Sequence, residues 1–101
     1  MTVKKEKNGD ELIVSIEGAV DITTAPELQA ALDGELDDVK SVVFDLKDSD
    51  YTSSSGLRVI LGTYQILEKK GGTIKLKNVN KAFYDILKMT GFTDFIQIEN
   101  D

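Results

Sequence analysis

A mixed α/β fold, with helices packed on a single sheet of four to five strands, is what this 101-residue chain predicts. Three observations predict it. Apolar segments with strand and helix periods alternate in the order β-β-α-β-α-β-α-β. The first two strands are separated only by "NGD" at 8–10, a tight-turn signal that makes them an antiparallel hairpin. The later strands are each separated by a helix, the usual crossover between parallel neighbours.

The elements follow in order. Residues 2–7 place Val3 among lysines and read as a polar edge strand. In "LIVSIEG", Leu12, Val14 and Ile16 share one face while Ile13, Ser15 and Glu17 share the other, the alternation of a half-buried strand. "TTAPELQAALDG" is a helix: Thr24 and Glu27 have the spacing of a capping box, Pro26 sits in the first turn, and Gly34 closes the end. Leu28, Ala31 and Leu32 form its buried stripe. "SVVFDL" (41–46) is a buried strand. The helix after it begins near Ser54 or Ser55 and runs to about Lys69, where "KKGG" ends it. "TIKLK" is a short strand. "NKAFYDILKMTGF" is a third helix, capped by Asn80, with Phe83, Ile86 and Leu87 inward and Gly91 as the left-handed terminator before apolar Phe92. "FIQIE" supplies the last strand.

Length points to one domain, 1–101. No apolar run approaches the roughly 18 residues that span a bilayer, and the amino-terminal segment lacks the apolar stretch of a signal peptide, so a cytoplasmic protein is expected, without a membrane partner. The chain has no cysteine and no histidine. Disulfides, thiolate metal sites and every Ser-His or Cys-His catalytic arrangement are therefore excluded, and no metal or other cofactor is expected. A net charge of −6 without a basic cluster argues against nucleic acid as a partner.

The informative stretch is "DSDYTSSSGLRVIL" (48–61), which puts three serines between a buried strand and an apolar helix. One of them is expected to cap the helix, since serine is among the best N-cap residues. Capping explains one serine, not three. At about 100° per residue, Leu57, Ile60, Leu61, Tyr64 and Leu67 form the core stripe and Ser55 points away from it. Val59, Gly62 and Ile66 lie near Ser55 on the wheel, flanked by Arg58 and Lys69. That second stripe is either a docking face, made flat by Gly62, or a surface covered by the chain's own loops or last helix. A serine nucleophile needs a base. There is no "GxSxG", the residue three after Ser55 is Arg58, which does not deprotonate, and Asp45 is a weak base for a hydroxyl. No "GxxxxGK[ST]" occurs either, so an enzyme or nucleotide-binding protein is the remote alternative. A phosphate accepted at the helix start would gain from the helix end and add charge to an acidic surface.

Four segments, "GAVDITTAPEL", "VVFDL", "YTSSSGLRVILGTYQILEKKGG" and "NKAFYDILKMTGF", resemble the anti-sigma factor antagonist family, the bacterial single-domain STAS proteins, in order and spacing over nearly the whole chain. The resemblance implies a STAS-like fold and a regulatory protein that is not an enzyme. It implies capture of an anti-sigma factor that is also a serine kinase, release on phosphorylation, and restoration by a phosphatase, with the antagonist a monomer or weak dimer. Carried onto this chain, the acceptor is Ser55, with Ser54 and Ser53 as alternatives. The implied partner-binding set is Asp21, Ser54, Gly56, Arg58, Val59, Gly62 and Ile66. Asp21 matches an acidic residue near the acceptor loop; its plain reading is a turn residue capping a strand end or the next helix. The family often has aspartate where this chain has Ser53. A second possibility keeps the fold and drops the switch, making the chain an accessory subunit of a signalling or transport assembly.

Overall fold

In the computed structural model, which describes residues 1–99, five strands form one sheet in the order β1-β2-β3-β4-β5. β1 (Thr2–Asn8) and β2 (Glu11–Glu17) pair antiparallel around the "NGD" turn, where Gly9 takes φ +63°. β3 (Ser41–Asp48), β4 (Thr73–Lys77) and β5 (Gln97–Glu99) add in parallel. The crossovers carry α1 (Ala25–Leu32), α2 (Ser54–Lys69) and α3 (Lys81–Met89).

The period of two in the sequence becomes two unlike faces. Leu12, Val14 and Ile16 of β2, Val42, Phe44 and Leu46 of β3, and Ile74 and Leu76 of β4 are buried. They meet Leu28 and Leu32 of α1, Leu57, Ile60 and Leu67 of α2, and Phe83 and Leu87 of α3 in one core. Ile13, Ser15, Val43 and Asp45 point to the other face and stay half-buried, so the helices cover only one side of the sheet. Ala31, Leu61, Tyr64 and Ile86, expected inward, sit at the rim of the core and are half-buried.

Two strand boundaries move. β3 continues to Asp48, two residues past the apolar run, because its backbone still follows β2 to the Glu17–Asp48 pair. β5 is shorter than "FIQIE": Gly91, at φ +82°, starts a single 3₁₀ turn over Phe92–Asp94, and the chain rejoins the sheet only at Gln97. Phe92 is buried by that turn, which favours it over two more residues of edge strand.

Candidate functional site

The serine loop is built at the carboxyl ends of β2 and β3, where the two following loops run side by side. Gly18 N–H donates to Asp48 O (2.9 Å), Val20 N–H to Tyr51 O (3.0 Å) and Ser53 N–H back to Val20 O (2.8 Å). Ser49 is buried and its hydroxyl donates to Gly18 O (2.8 Å). Val20 and Thr52 thus form a parallel bridge beyond the strands proper. α2 leaves from this point, and Gly56 makes the departure possible. A Cβ there would lie 2.2 Å from Thr52 Oγ1 and 2.8 Å from Val20 Cγ1. Gly56 was expected among the partner-binding residues; it is buried and packs closely against Thr52 and Val20.

The three serines have three environments. Ser53 occupies the N-cap position in extended conformation (φ −93°, ψ 177°), yet its side chain makes no capping bond. Its Oγ is buried and has no hydrogen-bond partner among the described residues. The expected serine cap is therefore absent. Ser54 is the first helical residue and is exposed; Ser55 is half-buried. The first turn of α2 contains no acidic residue, so the partial positive charge of the helix end is not offset locally. Arg58 is exposed, one turn beyond Ser54, and no ion pair among the described residues involves it.

Asp21 follows its plain reading. Its Oδ1 accepts from the Thr23 hydroxyl (2.7 Å) and from the N–H groups of Thr23 and Thr24 (both 2.9 Å). The Thr23 hydroxyl first, then the two amides, hold the carboxyl down to about 2, well below its ordinary 3.8. The capping box expected of Thr24 and Glu27 does not form: Thr24 is already helical (φ −97°, ψ −21°) and makes no side-chain cap bond into the helix. Its hydroxyl instead accepts from Asp21 N–H (2.8 Å) and donates to Ala19 O (3.0 Å). Asp21, four residues before α1, has taken over the cap.

The outward position expected of Val59 is corrected. Val59 is only 7% exposed and belongs to the core, because α1 packs along that flank of α2. The covering element is α1, not a loop or the last helix. Gly62 is half-buried with open space above its Cα, and Ile66 is 47% exposed, so the outward stripe survives only in its second half. Between the helices lies a shallow depression of about 400 Å³. Ile22, Pro26 and Gln29 line one bank; Ser55, Arg58 and Val59 line the other. Ile22, 75% exposed, and Tyr51, 49% exposed, stand on the two paired loops beside the serines. Sequence reasoning missed both. The available signal was an isolated large apolar residue inside each polar loop, in "DITT" and in "DSDYTS". Asp45, considered as a base for Ser55, lies on the uncovered face of the sheet. There it accepts from Asn78 Nδ2 (3.0 Å) and Lys47 N–H (3.1 Å), out of reach of the serine loop.

A family model of the STAS domain matches residues 2–101, and the chain belongs to that family. Within it, the chain is similar to the anti-sigma-B factor antagonist of Bacillus subtilis (strain 168), at 32% identity over 98 residues, 97% of this chain and 90% of the relative. The crystal structure of an anti-sigma factor antagonist from Mycobacterium paratuberculosis superposes with a TM-score of 0.85 at 26% identity, covering 96% of this chain and 83% of the other. The Bacillus cell fate determinant SpoIIAA in its phosphorylated form shares the fold, with a TM-score of 0.79 at 16% identity over 99% of this chain and 91% of that one. No helix among the described residues is long and apolar enough to cross a membrane.

Proposed function

We propose that this chain, acting as a single domain, is an anti-sigma factor antagonist switched by phosphorylation in the serine loop. It docks on an anti-sigma factor that is also a serine kinase, through Ile22, Tyr51, Arg58 and Ile66 around the helix start, and is released when a serine there is modified. A phosphatase returns it to the binding form. The observation that carries the reading is the contrast among the serines: Ser54 is exposed on the first turn of α2, Ser55 is half-buried and Ser53 Oγ is enclosed. Exposure favours Ser54 over Ser55 as acceptor, and the enclosure of Ser53 Oγ argues against Ser53. The names of the curated relatives support the partner class.

The physics of the switch is simple. A phosphoserine brings a charge of about −1.5 to −2. At an effective dielectric near 20, a partner carboxylate about 5 Å away is repelled by roughly 3 kcal/mol per unit charge before screening. About 1.4 kcal/mol is already tenfold in affinity. Arg58 and the open amides of α2 hold the phosphate in place.

The test is incubation with the cognate kinase and ATP, followed by mass spectrometry of the wild type, Ser54→Ala and Ser55→Ala. One added phosphate that only Ser54→Ala or only Ser55→Ala removes is expected, with the unmodified chain binding the kinase at least tenfold more tightly than the phosphorylated one. A chain that binds the kinase but is never modified at 53–55 defeats the switch.

A further inference from the structure

The far end of α2 carries a second feature that the serine loop does not use. Tyr64 and Glu68 lie one turn apart on α2, and the Tyr64 hydroxyl donates to the Glu68 carboxylate. Phe95, which follows the 3₁₀ turn, stands against Tyr64 with ring centroids 4.9 Å apart at 56°, and against Phe92 at 5.3 Å and 44°. Phe95 remains 40% exposed. These side chains, with Thr73 and Gln97 below them, enclose an open notch of about 260 Å³. It lies where β5 has not yet joined the sheet: β5 pairs with β4 only at Lys75–Lys77, so Thr73 and Ile74 have no strand partner on that side.

The chemistry of the walls is one-sided. Aromatic faces attract cations and a carboxylate attracts them more strongly, while no basic side chain among the described residues lines the notch. Of the two lysines that follow Glu68, Lys70 donates to Leu36 O and Lys69 does not line the notch. Tyr64 keeps its proton through the neutral range, since the bond to Glu68 raises its pKa, and Glu68 retains lone pairs for another donor. A planar guanidinium fits such walls better than an ammonium, because it stacks on a ring while its edge reaches a carboxylate.

We propose that this notch receives an arginine side chain of a partner protein. Tyr64 and Glu68 are ten and fourteen residues from Ser54, which at about 1.5 Å per residue puts the notch some 15–20 Å along the helix from the serine loop. The notch is therefore spatially separate from the serine loop, and its occupant goes beyond the proposed switch.

The experiment uses the full chain and follows amide chemical shifts by NMR during titration with N-acetylarginine amide, against sodium chloride and N-acetylglycine amide at equal ionic strength. Saturable shifts at Thr73, Ile74, Phe95 and Gln97 are expected, with Ser54–Arg58 unmoved. Glu68→Gln and Phe95→Leu should each weaken binding by about threefold or more. Glu68 is exposed, so Glu68→Gln tests the site without disturbing the core. Shifts no larger than those from salt, or binding that survives Glu68→Gln undiminished, overturn the proposal. Neither result bears on the serine switch, whose readout is phosphate incorporation.

Discussion

The starts of α3 and α2 answer the same physical problem in opposite ways. α3 opens on Asn80, whose side chain accepts from Phe83 N–H at 2.8 Å. α2 opens on Ser53, equally extended and equally suited to cap, whose hydroxyl caps nothing. α1 sides with α3, through Asp21. Two helices thus begin with their polar groups matched to each other. The third is held by packing, Gly56 against Thr52 and Val20, and Val59 against α1, with no side-chain cap. That division is compatible with the reversible modification proposed above.

If packing anchors α2, breaking the packing has the largest effect. Val59→Asp places a carboxylate where the side chain is 7% exposed and should cost about 3 kcal/mol or more. Ile66→Asp, two turns on and 47% exposed, should stay within about 0.5 kcal/mol. Urea melts of the two variants check this, and equal losses would erase the distinction between buried and outward halves of the stripe.

A sharper version uses one substitution at two glycines of the same helix. Gly56→Ala gains about 1 kcal/mol of helix propensity but drives a methyl to 2.2 Å from Thr52 Oγ1, and overpacking costs about 1–3 kcal/mol. Gly62→Ala meets nothing within 4 Å and should stabilise by up to about 1 kcal/mol. Opposite signs of the change in melting temperature are expected. If Gly62 also lies under the docked kinase, Gly62→Ala weakens that complex while strengthening the fold.

The caps come next. Asn80→Ala should cost about 1 kcal/mol. Ser53→Ala should cost nothing or stabilise slightly, because it removes a buried hydroxyl that has no partner. A loss of about 1 kcal/mol at Ser53 as well would mean that it caps α2 in solution, and the contrast between the helix starts would go.

Much of this was legible in the sequence. The alternation in β2, the order of elements, the Asn80 cap and the Gly91 terminator each depend on residues within one or two turns of each other, and local spacing reports them well. The errors fall where the deciding partner is distant or where several polar residues compete. A helical wheel places Val59 relative to α2's own stripe but cannot show that α1 lies along the flank, so a helix buried on two sides looked buried on one. Thr24 and Glu27 satisfied the pattern of a capping box, yet Asp21, three residues earlier, offers an ionised acceptor to two amides and a hydroxyl, and the stronger acceptor wins. At the serine loop, the sequence marked out the segment as a candidate site and put Ser55 first among its hydroxyls, with Ser54 and Ser53 as alternatives. That order differs from the order of exposure, in which Ser54 comes first, because exposure there depends on the Val20–Thr52 bridge, which joins residues 32 positions apart.

The smallest expected effect concerns the charge at α1, and it asks whether Asp21 acts as the cap that the comparison assigns to it. The folded chain holds this carboxyl at about 2, against 3.8 ordinarily. A lowered value means that the folded state binds fewer protons than the unfolded chain below about pH 4. The stabilisation is therefore complete above the ordinary value and is lost as the pH falls from about 4 through about 2. Asp21→Asn keeps an oxygen that can accept the same hydrogen bonds but removes the titration. Melting temperatures of the two chains should diverge at neutral pH, with the wild type higher, and converge towards pH 2. Asp38, whose carboxyl is also lowered, by the hydrogen bond from Lys7, gives both chains a common acid-side slope, so the difference between the curves is the quantity to read. Curves that stay parallel across the whole window would mean that the ionised carboxylate does not hold the start of α1, leaving α3 as the one helix start secured by a side chain.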